Sequence, residues 1–416
     1  MKTEHSDTKP VAATPQVRFS RGPAWPRLRR MLVAATAACL FAGCAMAQPR
    51  HPPMFQRVAF LHAGQYGMAD YRTPALAVTK DGTLIAAFDA MLHSDNDLPN
   101  DIDVEVRTSH DDGRTWSAPL RVTEPKHGGT SDTSLIVDRR TGRIFLFYNY
   151  GPPGIGFWNS AQGDLPAKTL HPRYKWSDDD GRTWHGPVDL LKAVKQRHWK
   201  GLFTASGHGI QLQTGPYKGR LLQPLVYRTA DGTIHALDIY SDDDGATWRD
   251  GAPIGPDTDE SKAVQLADGA VMQNLRSDDP HIHARMIAIS HDGGVHFGIP
   301  HADPALVDPH VNASIIRVDP NAPATAAEAH WLLFSNPANA HQRKNLTVRL
   351  SCDDGQHWSA SRVLDAGPSA YSSLVRLPDG SFGVLWENGK QGGTGNLVYA
   401  HFNLAWVGSC DEHSSN

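Results

Sequence analysis

Three arginines and a tyrosine sit where strands begin or end, and their neighbours set them apart from ordinary surface residues. Arg72 lies in Tyr71-Arg72-Thr73-Pro74, beside a proline that removes a ladder donor at a strand entrance. Arg276 closes Gln273-Asn274-Leu275-Arg276, and Arg343 follows Ser335-Asn336-Pro337. Tyr371 precedes Ser372-Ser373-Leu374 at the start of a hairpin, while Glu260 and Glu387 stand alone among apolar or small residues. A guanidinium grips an anion through charge-assisted, often bidentate hydrogen bonds. Three gathered at one point repel one another, so an anionic ligand is their natural neutraliser. A tyrosine hydroxyl becomes a nucleophile when a neighbouring base takes its proton. Taken singly, each of these residues fits a duller reading as a surface arginine or a half-buried strand tyrosine. A further set of acids, Asp95, Asp97, Asp101 and Asp103, occupies the stretch from Ser94 to Asp103 after the first hairpin and offers general acid–base groups.

Residues so far apart in sequence converge only if the fold gathers loops around one point. The repeats describe such a fold. Ser109-His110-Asp111-Asp112-Gly113-Arg114-Thr115-Trp116 recurs with starts at 177, 241, 290 and 351, the copy at 290 being the most worn. Irregular spacing of one short motif marks a repeated supersecondary unit with loops of varying length. In each copy the Asp side chain accepts from nearby backbone N–H groups, the Gly takes a positive φ and the Trp plugs the base of the turn. The box is thus a clip between strands; it lacks the far acidic ligand of a calcium hand. Asp-Gly pairs at 81, 231, 268 and 379 separate apolar runs, the signature of hairpins. The best helical period is brief, Val188–Lys195. Strand clusters of about sixty residues, radially repeated, predict an all-β, six-bladed β-propeller over 48–416, with Phe402-Asn403-Leu404-Ala405-Trp406 completing the last sheet.

Residues 1–47 read as an export signal. A basic stretch ending Arg27-Leu28-Arg29-Arg30 precedes an apolar run from Met31 to Phe41, too short to span a bilayer, and Ala45-Met46-Ala47 has the form of a signal-peptidase site. The mature chain is therefore expected outside the cytoplasm, periplasmic or secreted, with membrane contact only if Cys44 is lipidated. Of four cysteines, Cys352 and Cys410 remain after the leader, and export makes a disulfide between them possible. The formal net charge is −4 and the mature part has no basic run, so nucleic acid is not an expected partner. The 22 histidines show no metal-ligand spacing such as H-E-x-x-H.

The Tyr-Arg-x-Pro start, the repeated boxes, the segment from Glu260 to Arg276, Ser335-Asn336-Pro337 with Arg343, and Tyr371 with Glu387 occur in one order. In that order the chain resembles the exo-α-sialidases of the neuraminidase superfamily, the bacterial Asp-box or BNR-repeat type, over essentially its whole mature length. The resemblance implies a retaining glycosidase that cuts terminal sialic acid from glycoproteins, glycolipids and other sialylated glycans, as a monomer and without cofactor or catalytic metal. Arg72, Arg276 and Arg343 would hold the sugar carboxylate, and Glu387 would pair with Arg72. Tyr371 would attack, with Glu260 as its base; sialidases are the known exception that uses a Tyr nucleophile, which avoids pressing a carboxylate against the substrate's own. Asp97, before Leu98-Pro99, best matches the acid/base, while Asp95 or Asp101 could be a turn residue or a supporting partner. Thr73 departs from the family's usual Ile, a β-branched residue the strand should tolerate. Gly207-His208-Gly209-Ile210-Gln211-Leu212 resembles a segment near the site. Trp158, Trp199 and Tyr150 could line a sugar subsite or belong to the core. A transglycosidase, a hydrolase of another nonulosonic acid, and a sialoside-binding propeller without turnover are the rival readings.

Overall fold

The computed structural model describes residues 52–123, 127–390 and 392–410, so the expected leader lies outside the described residues. Strands dominate, and each sheet is built in chain order from its inner edge outwards. The first comprises Asp70–Val78, Leu84–Met91, Ile102–Ser109 and Leu120–Arg121. The second comprises Gly129–Val137, Ile144–Gly151, His171–Ser177 and His185–Asp189. In the third, Leu202–Thr204 and Ile210–Gln211 share the inner edge, followed by Leu221–Arg228, Ile234–Ser241 and Arg249–Asp250. Between those two short pieces Gly207–His208 crosses over and pairs in parallel with Gly129–Val137. Thr258–Gln265, Val271–Ser277, Ala284–Ser290 and His301–Val307 form the fourth.

The remaining strands make one seven-stranded sheet, bent within the long strand Ala360–Arg376. Its first part pairs with Lys344–Ser351 and its second with Phe382–Gly389. Counting those halves separately gives six four-stranded units. Their apolar faces pack sheet against sheet. Phe145, Tyr174, Leu225 and Trp248 fill the space between the second and third sheets, and Leu76, Phe88, Leu385 and Tyr399 that between the last and first. Inner strands also touch their neighbours around the ring, Asp70–Val78 meeting both Gly129–Val137 and Ala360–Arg376. This is a β-propeller.

Each Asp box joins the third and fourth strands of its sheet. In the first, the Ser109 hydroxyl donates to Asp111 Oδ1 at 2.8 Å and accepts from the Gly113 amide at 2.9 Å. The Thr115 amide and hydroxyl complete the shell of Asp111 at 2.9 and 2.7 Å. These hydrogen bonds, the Thr115 amide first, hold the Asp111 carboxyl at about 2. The carboxylate is fully used by the turn itself, as the clip reading requires. Asp112 and Gly113 take φ of 59° and 83°; aspartate tolerates that region and glycine prefers it. Trp116 then reaches back to Tyr399 of the preceding unit, ring centroids 5.3 Å apart.

Two sequence expectations change here. Phe402-Asn403-Leu404-Ala405-Trp406 does not complete the last sheet. Phe402 ends the strand Gly395–Phe402, Leu404–Val407 is a short helix capped by Asn403, and the outermost place is filled by Phe55–His62 from the other end of the chain. The helical period at Val188–Lys195 shrinks to Leu191–Val194, because Val188 already belongs to an outer strand. Cys352 and Cys410 are joined as a disulfide, Cα atoms 5.8 Å apart, which ties the tail to the fifth box.

Candidate active site

Four innermost strands share one irregularity near their starts. Pairing slips between Arg72 and Ala75, Ser131 and Ser134, Thr258 and Ser261, and Ser369 and Ser372. Such bulges re-aim side chains and favour active sites. Here they carry Thr73, Asp132, Glu260 and Tyr371. Thr73 and Asp132 adopt φ of 50° and 61°. Thr73 is therefore not an ordinary strand residue, and its β-branch is held in a left-handed conformation that such side chains seldom take.

Buried polar side chains on second strands pin three of these bulges and the inner edge of the third sheet. Glu387 Oε1 accepts from the Thr73 amide at 2.8 Å and Oε2 from the Tyr371 amide at 3.2 Å, while its carboxylate also lies 3.6 Å from Arg72 Nε. The expected pairing with Arg72 is present, but Glu387 does more: it fixes the backbone under two site residues on two sheets. Asp89 takes the Asp132 amide at 3.0 Å, and Asn149 the Thr204 amide at 2.8 Å, in the same manner. Glu387, Asp89 and Asn149 each hold the sixth place of an eight-residue second strand.

Within this frame the Tyr371 hydroxyl donates to Glu260 Oε2. Arg276 Nη1 stands 3.1 Å from the same oxygen and 3.5 Å from the tyrosine oxygen, and Arg276 Nε lies 3.3 Å from Asp259. The other oxygen of Glu260 receives Asn312 Nδ2 at 3.3 Å and Ser206 Oγ at 3.5 Å. Arg343 donates to the His310 carbonyl at 3.0 Å, its guanidinium carbon 5.8 Å from the Tyr371 ring centre. Arg72 donates to Asp97 Oδ1 at 2.8 Å and to the Asp95 carbonyl at 3.2 Å. The acid loop that brings Asp97 there is seated by close backbone approach. A Cβ on Gly129 would lie 2.1 Å from the Asn100 carbonyl oxygen, and one on Gly156 2.2 Å from that of Leu98. Asp97 keeps 81% of its side chain exposed, whereas Asp101 faces His93 and Asp103 faces Arg121.

The electrostatics suit a proton-transfer pair beside an anion clamp. Burial, then the Glu260 charge, pushes the Tyr371 hydroxyl far above its ordinary range. Burial raises Glu260, and Arg276 partly offsets it. Burial opposes the charge of Arg72, but Glu387 and Asp97 outweigh it; in Arg276, Asp259 and Tyr371 do the same. Asp132, not foreseen from sequence, faces the same space, and burial with Glu260 and Asp97 lifts it to about 7.

Other supporting residues were also invisible in the sequence. Lys262 is buried below Glu260 and donates to Asn312 Oδ1 at 2.8 Å; burial lowers its amine to about 7. The wholly buried Arg285 reaches Asn274 Oδ1 at 2.7 Å, the Val311 carbonyl at 2.6 Å and the Glu260 carbonyl at 3.4 Å. The Gly207–Leu212 segment does approach the site: Ser206, just before it, touches Glu260, and His208 bonds Ser314 at 3.2 Å. Of the aromatic candidates, Trp199 is core, stacked 4.0 Å from Tyr227, and the Tyr150 hydroxyl bonds the His127 carbonyl. Trp158 is 70% exposed beside Phe157. No group of three or more metal-ligating side chains occurs among the described residues.

Comparison with known proteins bears on the same region. The BNR repeat-like domain family matches residues 82–384. A sialidase of Micromonospora viridifaciens is 41% identical over 392 residues, which cover 91% of this chain and 59% of that protein. The chain thus spans about three fifths of that relative's length. Among solved structures, Hadza microbial sialidase Hz136 superposes with a TM-score of 0.75 at 28% identity, over 85% of this chain and 69% of that one. An intramolecular trans-sialidase from Ruminococcus gnavus shares the fold, with a TM-score of 0.73 at 19% identity over 84% and 98%. With boxes, ring of sheets and matched span all in agreement, the chain belongs to the BNR repeat-like domain family.

Proposed function

We propose that the chain is a retaining exo-α-sialidase acting on terminal sialic acid of glycoproteins, glycolipids and other sialylated glycans. The observation that carries this reading is the contact of the Tyr371 hydroxyl with Glu260, with Arg276 against both oxygens. A nucleophile and its base lie inside a cluster of guanidiniums. The substrate carboxylate would sit between Arg72, Arg276 and Arg343, where charge-assisted hydrogen bonds fix its position. That brings the anomeric carbon over the Tyr371 oxygen. Tyr371 forms the bond to this carbon as its proton passes to Glu260, and Asp97 gives a proton to the departing glycosidic oxygen. Asp97 then takes a proton from water, water attacks the same carbon, and the bond to Tyr371 breaks as its oxygen recovers the proton from Glu260. Two displacements leave the anomeric configuration unchanged.

Asp97, bonded to Arg72, stands beside the place where the carboxylate would sit.

The test is turnover of a fluorogenic aryl α-N-acetylneuraminide. Wild type is expected to release the fluorophore, with free sialic acid appearing first as the α anomer by NMR. Tyr371→Phe is expected to lose about a thousandfold or more in kcat while still binding sialoside. First release of the β anomer would remove the tyrosyl intermediate. Sialoside binding by folded wild type without turnover of any nonulosonic acid glycoside would leave a binding propeller. Adding lactose as acceptor separates hydrolysis from transfer. For the leader we propose export with cleavage after Ala47; a mature N-terminus at Cys44 carrying lipid would instead mark a lipoprotein. For the exported chain we propose a monomer, to be read from its mass in solution.

A further inference from the structure

The innermost strands have two ends. Their starts carry the residues around Tyr371, and their far ends enclose a cavity of about 340 Å3. Leu76, Leu135, Ile210, Ala263, Ile315 and Leu374 all line it, one from each unit of the ring. At about 3.3 Å per strand residue, Leu374 and Ala263 lie roughly 10 Å along their strands from Tyr371 and Glu260, and Arg376 roughly 16 Å from Tyr371.

This far end is cationic. Arg139, Arg317, Arg376 and Lys80 all border it. Arg317 is 7% exposed; one of its terminal nitrogens donates to the Ala329 carbonyl at 3.0 Å, but its Nε is buried with no partner. Nε of Arg376 is buried and unpartnered too, and the nearest carboxylate, Asp319, stands 3.9 Å from its other end. The guanidinium of Arg139 makes no hydrogen bond or ion pair among the described residues, and it stands close enough to Arg376 for their charges to repel. Nearby acids are already engaged, Asp138 with Thr141 and Gln211, Asp354 with His330. At Arg72 and Arg276 the buried Nε faces a carboxylate of the protein itself, Glu387 at 3.6 Å and Asp259 at 3.3 Å, whereas Nε of Arg317 and of Arg376 has no such partner.

We propose that the far end of the axis is a second ligand site, for a small organic anion whose oxyanion head is held by Arg317, Arg376 and Arg139 and whose apolar body lies against Leu135, Ile315 and Leu374. The cations select the head, and the strand ends offer the body an apolar wall that water serves poorly. Because the two ends are separate, an occupant here leaves the clamp free.

The experiment is calorimetric titration of the folded protein with octanoate and, separately, inorganic phosphate. Arg139→Gln/Arg376→Gln is the variant of choice, since both side chains are partly exposed and the strand cores are untouched. Octanoate is expected to bind wild type and to weaken at least tenfold in the double variant, with sialoside turnover within twofold of wild type. Arg343→Gln, which opens the clamp, is expected to bind octanoate as wild type does. Equal affinity in wild type and the double variant, or no octanoate binding at millimolar concentration, would overturn the proposal. So would loss of binding in Arg343→Gln, which would place the anion in the clamp. Phosphate binding as tightly as octanoate would remove the role of the apolar wall and with it the organic ligand. The octanoate and phosphate titrations read binding, so they stand whether or not the protein turns over sialosides.

Discussion

At the scale of single residues, the reactive pair depends on groups that do not face the substrate. Lys262 reaches Glu260 through Asn312. A cation below a carboxylate favours its ionised form, so its removal raises the Glu260 pKa. Lys262→Met is expected to move the acidic limb of the kcat profile to higher pH, with KM little changed because the clamp arginines stay in place. An unmoved limb would reduce Lys262 to packing. Asp132 offers a second pH test. Its folded pKa of about 7 is raised above the ordinary aspartate value of 3.8, so its contribution to stability is full below 3.8 and is lost as pH rises through 7. Asp132→Asn cannot titrate. Its melting temperature relative to wild type is expected to be higher at pH 8 than at pH 5, and a difference independent of pH would contradict the shift. The arginines, Tyr371, Glu260 and Glu387 were legible because their types and flanks carry the chemistry. Lys262, Arg285 and Asn312 were not, since a buried charge announces itself only through the cavity around it.

At the scale of elements, what could not be read was how backbone and loops are held. The bulges leave no mark in composition, because one extra residue in a strand does not alter its alternation enough to see. A trace of their supports does exist. Asp89, Asn149 and Glu387 each fall seven residues after a hairpin glycine, at Gly82, Gly142 and Gly380. A polar residue recurring at that offset in a buried strand is a readable sign of a shared task. The acid loop was legible as acidic, but not its seat. Gly156→Ala would push the Leu98 carbonyl and Asp97 away from Arg72. The expected outcome is a fall in kcat of about tenfold or more with a smaller change in KM, because misplacing a catalytic group by an ångström is costly. Equal kcat would show that the loop absorbs the strain. The boxes show the opposite case, where a local turn is wholly specified by its own residues. Five boxes serve six units because each joins a third strand to a fourth, and in the last unit those strands come from opposite ends of the chain.

The propeller is a ring whose seam lies between Phe55–His62 and Gly395–Phe402. Periodicity predicted the ring; the seam was misplaced, because an isolated apolar segment at residues 402–406 looks like a strand until its partner is known. The tail beyond the seam is fastened to the fifth box by Cys352–Cys410, across 58 residues of sequence. Cys410→Ser is expected to lower stability by about 2–4 kcal/mol, read as a lower denaturation midpoint under oxidising conditions and no difference once both proteins are reduced. A midpoint unaffected in oxidised protein would mean that the tail carries no load. The seam also governs how the protein comes into being. Residue 55 is synthesised among the first of the ring and must wait, its edge unsatisfied, until residue 402 has appeared. No partial product can close, so a chain cut short by a few dozen residues presents two open edges at once. Conversely, the adjoining ends at the seam could be linked and the chain opened elsewhere, for instance in the loop between Arg317 and Ala327, giving a permuted ring with the same centre and a different order of assembly.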